Sequence, residues 1–215
     1  MLDLLTYRSN KYSQNGEDGV LEKILNELNI ENGFFVEFGA NNGPNCSNTW
    51  SLSEKGWSGI YIEGDDALIN DLKKSSEKFG DKVKVVEKFV DYEGQNKLDN
   101  ILKQNGVVEN FDVLSIDIDG YDYHVWEAFV EFKPKIVIIE INSSIPVGYK
   151  QVHNPPEQML TSFSSMVELG ISKGYKPLCH TGNLIFLDKN IDFPEVYFYQ
   201  LPNWLGVFQN PFAQK

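Results

Sequence analysis

The sequence predicts an α/β fold: a mostly parallel, Rossmann-like sheet with helices on both faces and an antiparallel last pair of strands. Three observations carry this expectation. Short apolar runs alternate with amphipathic segments, the pattern of strands joined by crossover helices. One run, Ile136 to Ile139, is continuously apolar, as in a strand covered on both faces. Near the end, two strand-like runs are separated only by His180-Thr181-Gly182-Asn183, a connection short enough for a hairpin.

The elements follow in order. Ser13, before Gln14, Asn15 and Gly16, reads as a helix start. From Glu17 to Leu28, the residues Val20, Leu21, Ile24, Leu25 and Leu28 recur at helical spacing and form one apolar face. Phe34 to Phe38 is the first buried strand, ended by Gly39. A short helix around Ser47 to Lys55 precedes the second strand, Gly59 to Ile62. Asp65 or Asp66 caps a helix running to about Phe79. Val83 to Val86 is the third strand, and Gln95 to Gln104 a helix. Val113 to Ile116 is the fourth strand, followed by a helix near Tyr123 to Phe129 and the fifth strand, Ile136 to Ile139. A polar loop with Pro146, Pro155 and Pro156 leads to a predicted long helix, Glu157 to Lys173. The strands Tyr175 to Cys179 and Leu184 to Leu187 complete the series.

Composition narrows the function. A chain of 215 residues suits one domain, able to bury a core without disulfides or metals. No apolar run approaches the ~18 residues of a membrane span. The opening MLDLLTYRSNKYSQ lacks a basic stretch followed by a long apolar core, so the expected location is cytoplasmic. Cys46 and Cys179 form no CxxC pair and read as reduced thiols. With 31 acidic against 19 basic residues, the net charge of −12 repels nucleic acid and anionic membrane. The expected partner is a small molecule.

The strongest chemical signal is FFVEFGANNGPN, Phe34 to Asn45. A buried strand runs into a turn with Gly39 and Gly43, and glycine lets a ligand approach the backbone closely. Ligands of open α/β sheets sit beyond the carboxyl ends of the strands, which is where Gly39, Ala40, Asn41 and Gly43 fall. The second strand ends in Glu63, 24 residues beyond Gly39, where a carboxylate can accept hydrogen bonds from both hydroxyls of a ribose. The pair points to an adenosine-containing cofactor. A nicotinamide dinucleotide normally asks for G-x-G-x-x-G, whereas the turn here is G-A-N-N-G. Glu37, two residues before Gly39, would repel a pyrophosphate and attract an amine or sulfonium. This favours S-adenosylmethionine. An NAD-dependent oxidoreductase and a cofactor-binding module without transferase activity stay as alternatives.

These residues also carry a resemblance. V-E-F-G-A-N-N-G followed by Y-I-E-G-D resembles the opening motifs of class I S-adenosylmethionine-dependent methyltransferases, particularly the FkbM-like group. Y-S-Q-N-G-E-D-G, Tyr12 to Gly19, is similar to the segment before the first strand in that group, and S-I-D-I-D-G and G-N-L-I-F match as well. The resemblance runs from Ser13 to about Lys189. It implies a seven-stranded sheet with the last strand inserted antiparallel, in a single class I methyltransferase domain spanning 1–215. Residues 1–30 would be an N-terminal helical segment and 190–215 an aromatic tail. It implies that Glu37 and the Gly39 turn hold the amino-acid end of the cofactor, and that Glu63 holds the ribose. Phe89, Val90 and Asp91 would lie at the adenine, with Asp91 accepting from its amine, and Gln14 of the upstream segment joins the cofactor set. The activity implied is O-methylation of a hydroxyl on a sugar, polyketide or other small metabolite.

A second constellation follows strands four and five. Asp117 and Asp119 alternate at a strand end and so point to one side. Asp122 and His124 come next, and Glu140 and Asn142 follow the fifth strand. One reading has Asp117, Asp119, Glu140 and Asn142 hold Mg²⁺ or another divalent cation that polarises a substrate hydroxyl. In the other there is no metal: Asp117 or Asp119 contacts the cofactor amine or the substrate, and a histidine is the general base. His180 and His153 rank ahead of His124 for that role. The aromatic cluster Tyr197, Phe198, Tyr199, Trp204, Phe208 and Phe212 would line a substrate wall, form a subunit interface or pack a tail. Trp50, Trp57 and Trp126 read as core.

Overall fold

A computed structural model describes residues 1–197. Phe198, Tyr199, Trp204, Phe208 and Phe212 of the aromatic cluster lie outside the described residues. The strands are β1 Phe34–Phe38, β2 Ser58–Glu63, β3 Val83–Glu87, β4 Val113–Ile116, β5 Ile136–Glu140, β6 Tyr175–His180 and β7 Asn183–Asp188. The helices are α1 Glu17–Glu27, α2 Trp50–Glu54, α3 Asp66–Ser76, α4 Leu98–Gln104, α5 Asp122–Ala128 and α6 Phe163–Ser172. All seven strands form one sheet in the order β3-β2-β1-β4-β5-β7-β6. The pairs from β3 to β5 are parallel, and β7 runs antiparallel to both β5 and β6. The expected architecture is therefore the one present.

Alternation along the strands divides the core into two layers. Val36, Phe38, Ile60, Ile62, Leu114, Ile116, Val137 and Ile139 face α4, α5 and α6. Phe35, Tyr61, Val113, Ile136 and Ile138 face α1, α2 and α3. Trp50, Trp57 and Trp126 are buried, as expected. Cys179 is buried and Cys46 exposed, both as free thiols. Among the described residues, no helix is long and apolar enough to cross a membrane.

The N-terminal helix is fastened at both sides of its first turn. Asp18 Oδ2 accepts from the backbone N–H of Lys11, Tyr12 and Ser13 at 2.9, 2.7 and 2.7 Å, while Ser13 Oγ accepts from Asp18 N at 3.1 Å. The helix itself begins at Glu17 with Gly16 at its N-cap, so the Ser13–Asp18 pairing closes the turn ahead of the helix, three residues beyond the expected start at Ser13. Buried Glu17 accepts from Asn15 N at 2.8 Å and from Thr181 Oγ1 at 2.7 Å, which ties the segment to the β6–β7 turn. The long helix expected from Glu157 starts only at Phe163. Ser162, whose Oγ accepts from Ser165 N at 3.3 Å, is its N-cap. Upstream, Ser162 N donates to Gln151 O and Asn142 N to Thr161 O, so 157–162 spends its backbone groups folding the β5–α6 loop onto itself.

Candidate functional site

The order of strands reverses between β1 and β4, and the loops leaving β1 to β4 border a cavity of about 590 Å³. Such a switch point is where α/β sheets take ligands, and the volume suits a small molecule.

The β1 turn is built by glycine. Gly39 has φ +72°, and a Cβ there would lie 1.6 Å from the Asp117 carbonyl oxygen. No side chain fits between the two strand ends. The next turn is locked by a carboxylate: Glu63 Oε2 accepts from Asn41 N at 2.7 Å, and Oε1 from Gly64 N and Asp65 N at 2.8 and 2.9 Å. Glu63 thus holds the β1 and β2 turns together while standing on the cavity wall. An ionised carboxylate offers about four acceptor sites, so capacity remains for a ligand hydroxyl. Gly64 keeps the wall open beside Phe89, whose ring a Cβ would meet at 2.4 Å.

The loop after β3 supplies Lys88, Phe89, Val90, Asp91, Tyr92 and Glu93 to the wall. Asp91 Oδ1 accepts from Tyr92 N at 2.7 Å and Glu93 N at 3.3 Å, which curls this loop. The loop after β4 supplies Asp117, Ile118, Asp119 and Tyr121. It is pinned by buried Asp122, whose two oxygens accept from Ile118 N and Gly120 N at 2.9 Å each. Burial raises the Asp122 carboxyl above the usual range.

Asp117, Asp119 and Glu140 bring ligand oxygens within 4.8 Å of one another. Burial, and then the charges of Glu140, Asp122 and Asp119, push Asp117 up to about 8. Burial, Asp122 and Asp119 push Glu140 to about 7. Glu140 Oε2 is buried without a hydrogen-bond partner among the described residues. Asn142 stands in the loop that follows β5. Its Oδ1 accepts from Ser144 N at 3.0 Å and Ser144 Oγ at 2.5 Å, within its own loop.

Of the residues singled out for the cofactor, the cavity brings together Gly39, Asn41, Glu63, Asp91 and Asp117. Ala40 is buried, and Gly43 packs against Trp50 instead. Gln14 is exposed and absent from the wall. Glu37 does not line it either. Its carboxylate accepts from Ser47 Oγ and Thr49 Oγ1 at 2.6 Å each, Asn48 N at 2.8 Å and Ser115 Oγ at 3.4 Å. Burial raises the Glu37 carboxyl despite these bonds. The charge expected from Glu37 is therefore spent on the β1–α2 loop. The cavity takes its negative character instead from Glu63, Asp65, Asp91, Glu93 and Asp119, against Lys88, because Asp117, pushed up to about 8, is mostly protonated at neutral pH.

The histidines are committed elsewhere. His180 is buried, its Nε2 lies 2.9 Å from Ser143 Oγ, and burial lowers it to about 4. His153 is buried, and its Nδ1 accepts from Leu160 N at 2.9 Å. His124 Nε2 donates to the His153 carbonyl at 2.8 Å. None of the three is on the cavity wall. Sequence reasoning passed over Tyr92 and Tyr121, which do line it. Both stand in the loops that follow β3 and β4, at the carboxyl ends of the strands where ligands of such sheets bind.

No protein-family model matches the chain, and no curated protein matches it in sequence. Solved structures do match in shape. The methyltransferase domain of METTL16 is 14% identical, with 81% of this chain and 67% of that chain covered and a TM-score of 0.53. The N-terminal domain of EvdMO1, solved with SAH bound, is 11% identical over 81% of this chain and 80% of that one, with a TM-score of 0.48. A putative RNA methyltransferase, PH1948 from Pyrococcus horikoshii, is 12% identical over 85% and 89%, also at 0.48. The METTL16 likeness shows a shared fold, the seven-stranded architecture described above.

Proposed function

We propose that this protein is a methyltransferase that uses S-adenosylmethionine to methylate a hydroxyl of a small molecule, a sugar or secondary metabolite, and that it belongs to the FkbM-like group in a single class I domain. One observation carries the reading: the Gly39–Asn41 turn and the Glu63 carboxylate share the wall of a cavity at the switch point of a methyltransferase-type sheet.

The residues present fit the cofactor. Glu63 would accept from a ribose hydroxyl with the acceptor site it has left, backbone at the close Gly39–Asp117 approach would face the amino-acid end, and Phe89, Val90 and Asp91 would border the adenine. When bound, S-adenosylmethionine supplies a methyl group already activated by its sulfonium. The chain's task is then to align the acceptor and take its proton. Asp117 is the favoured proton acceptor over His180 and His153, because it lines the cavity and its raised value of about 8 matches it to a hydroxyl better than an ordinary aspartate. The acidic wall speaks against nucleic acid as the acceptor, and the expected location is cytoplasmic.

A second reading places a divalent cation on Asp117, Asp119 and Glu140. It is favoured by their converging oxygens and by the unpartnered Glu140 Oε2. Three carboxylates suit a hard cation.

The test is conversion of S-adenosylmethionine to its thioether product in the presence of pooled hydroxylated acceptors, with Mg²⁺ or with EDTA. Product that appears only with acceptor and collapses in Asp117→Asn supports the transferase. Cofactor binding without product from any acceptor favours the binding module, and loss of product in EDTA favours the metal.

A further inference from the structure

The cavity has an aromatic side that cofactor binding does not account for. Tyr92 and Tyr121 stack with ring centroids 5.6 Å apart and planes 25° from parallel, and both line the wall. The two inner faces cover each other, and the residues remain 38% and 41% exposed. They are also held from behind. His124 lies 5.2 Å from Tyr92, and its Nε2 is fixed on the His153 carbonyl. The buried His153 ring stands edge-on to Tyr121 at 4.7 Å. The tyrosine pair is thus a supported surface, joined through two histidines to the loop after β5.

A pair of ring faces can take an apolar ring or a cation, because the faces carry negative quadrupole charge. The rest of the wall decides between them. Asp91, Glu93 and Asp119 stand on the same wall, with Lys88 as its basic side chain among the described residues. Aromatic faces beside excess carboxylate attract a cation and repel phosphate or carboxylate.

We infer that the acceptor carries a positively charged amine, seated on the Tyr92–Tyr121 pair beside Glu93 and Asp119, while a hydroxyl elsewhere on the same molecule receives the methyl group. This rests on the methyltransferase reading, with the cofactor on the Glu63 side. The substrate class is an amino sugar or amino alcohol. Phosphorylated sugars and acidic metabolites are excluded by the same charges. The amine is a handle for orientation and does not react.

The experiment uses choline and its neutral isostere 3,3-dimethylbutan-1-ol as probes. Binding of S-adenosylhomocysteine is measured first by calorimetry. Each probe is then titrated into protein saturated with it, at low and high salt. The inference predicts that choline binds, that the isostere binds at least about tenfold more weakly, and that high salt weakens choline. Tyr92→Leu and Glu93→Gln should each lose choline while keeping S-adenosylhomocysteine. Equal affinity for the two probes, or no choline binding to the saturated protein, overturns the amine seat and leaves the transferase reading intact. Choline that binds the free protein but not the saturated one assigns the seat to the cofactor and overturns it equally. Failure of S-adenosylhomocysteine to bind at all overturns both.

Discussion

Replacing Asp117 with Asn should stabilise the ligand-free protein, and should do so more as pH rises. Asp117 is pushed from an ordinary 3.8 to about 8, first by burial and then by the carboxylates around it. The sign follows from linkage. A folded value above the unfolded one means that the fold holds the proton more tightly, so stability is full below about pH 4 and is lost as pH rises through about 8. With ~1.4 kcal/mol for each tenfold change in proton affinity, the rise from 3.8 to about 8 means that ionised Asp117 costs the fold ~6 kcal/mol in alkali. Asn keeps the shape and removes the charge. For a domain of this size, half of that energy raises Tm by ~5 °C or more. The assay is thermal unfolding of wild type and Asp117→Asn, side by side, from pH 5 to pH 9. The two curves should start close and diverge upward for the variant. Equal Tm values across the range, or a less stable variant at pH 9, would refute the claim that this cluster stores unfavourable charge awaiting a ligand. The gain has a functional side: sites built for ligands are commonly less stable than their substituted forms, and the same variant should lose methyl transfer.

Other outcomes follow from the same geometry. Gly39→Ala should destabilise by ~3 kcal/mol or more in urea unfolding, because its Cβ meets the Asp117 carbonyl at 1.6 Å and φ is +72°. His180 is lowered from 6.5 to about 4, so it contributes stability above pH 6.5 that is lost as pH falls towards 4. His180→Gln should flatten that acid limb without weakening S-adenosylhomocysteine binding. Thr181→Val should cost ~1–3 kcal/mol by leaving buried Glu17 short of its 2.7 Å donor, again read by urea unfolding.

The fold was legible to the extent that its periodicity was local. β1 and β4 fall where the apolar runs put them, Phe34–Phe38 and Val113–Ile116, because a strand covered on both faces is mostly apolar, and the polar residues within them, Glu37 and Ser115, are buried against each other at 3.4 Å. The helix before β6 is shorter than its sequence pattern predicts, Phe163–Ser172 in place of Glu157 to Lys173. Its upstream residues have helix-compatible composition, but capping by Ser162 and the loop's own hydrogen bonds decide where α6 begins. In the site, Glu63 and Asp117 were readable because they stand at strand ends, whereas Asp119 comes near Asp117 through a turn with φ +56° and not through strand alternation. Glu37 was not. Only the folded β1–α2 loop reveals that Ser47, Asn48 and Thr49 turn their donors onto it. The histidines mislead for a similar reason: sequence places them in loops, and packing buries His153 and His180 away from the cavity.

The central claim is that the cavity at the β1–β4 switch point holds an adenosine cofactor through Glu63. Calorimetric titration with S-adenosylhomocysteine, with NAD in parallel, tests it most directly on wild type and Glu63→Ala. The account predicts saturable micromolar binding of S-adenosylhomocysteine alone, weakened at least about tenfold in the variant, a loss of ~1.4 kcal/mol or more. Binding of NAD in its place, or S-adenosylhomocysteine binding that Glu63→Ala leaves unchanged, would contradict it.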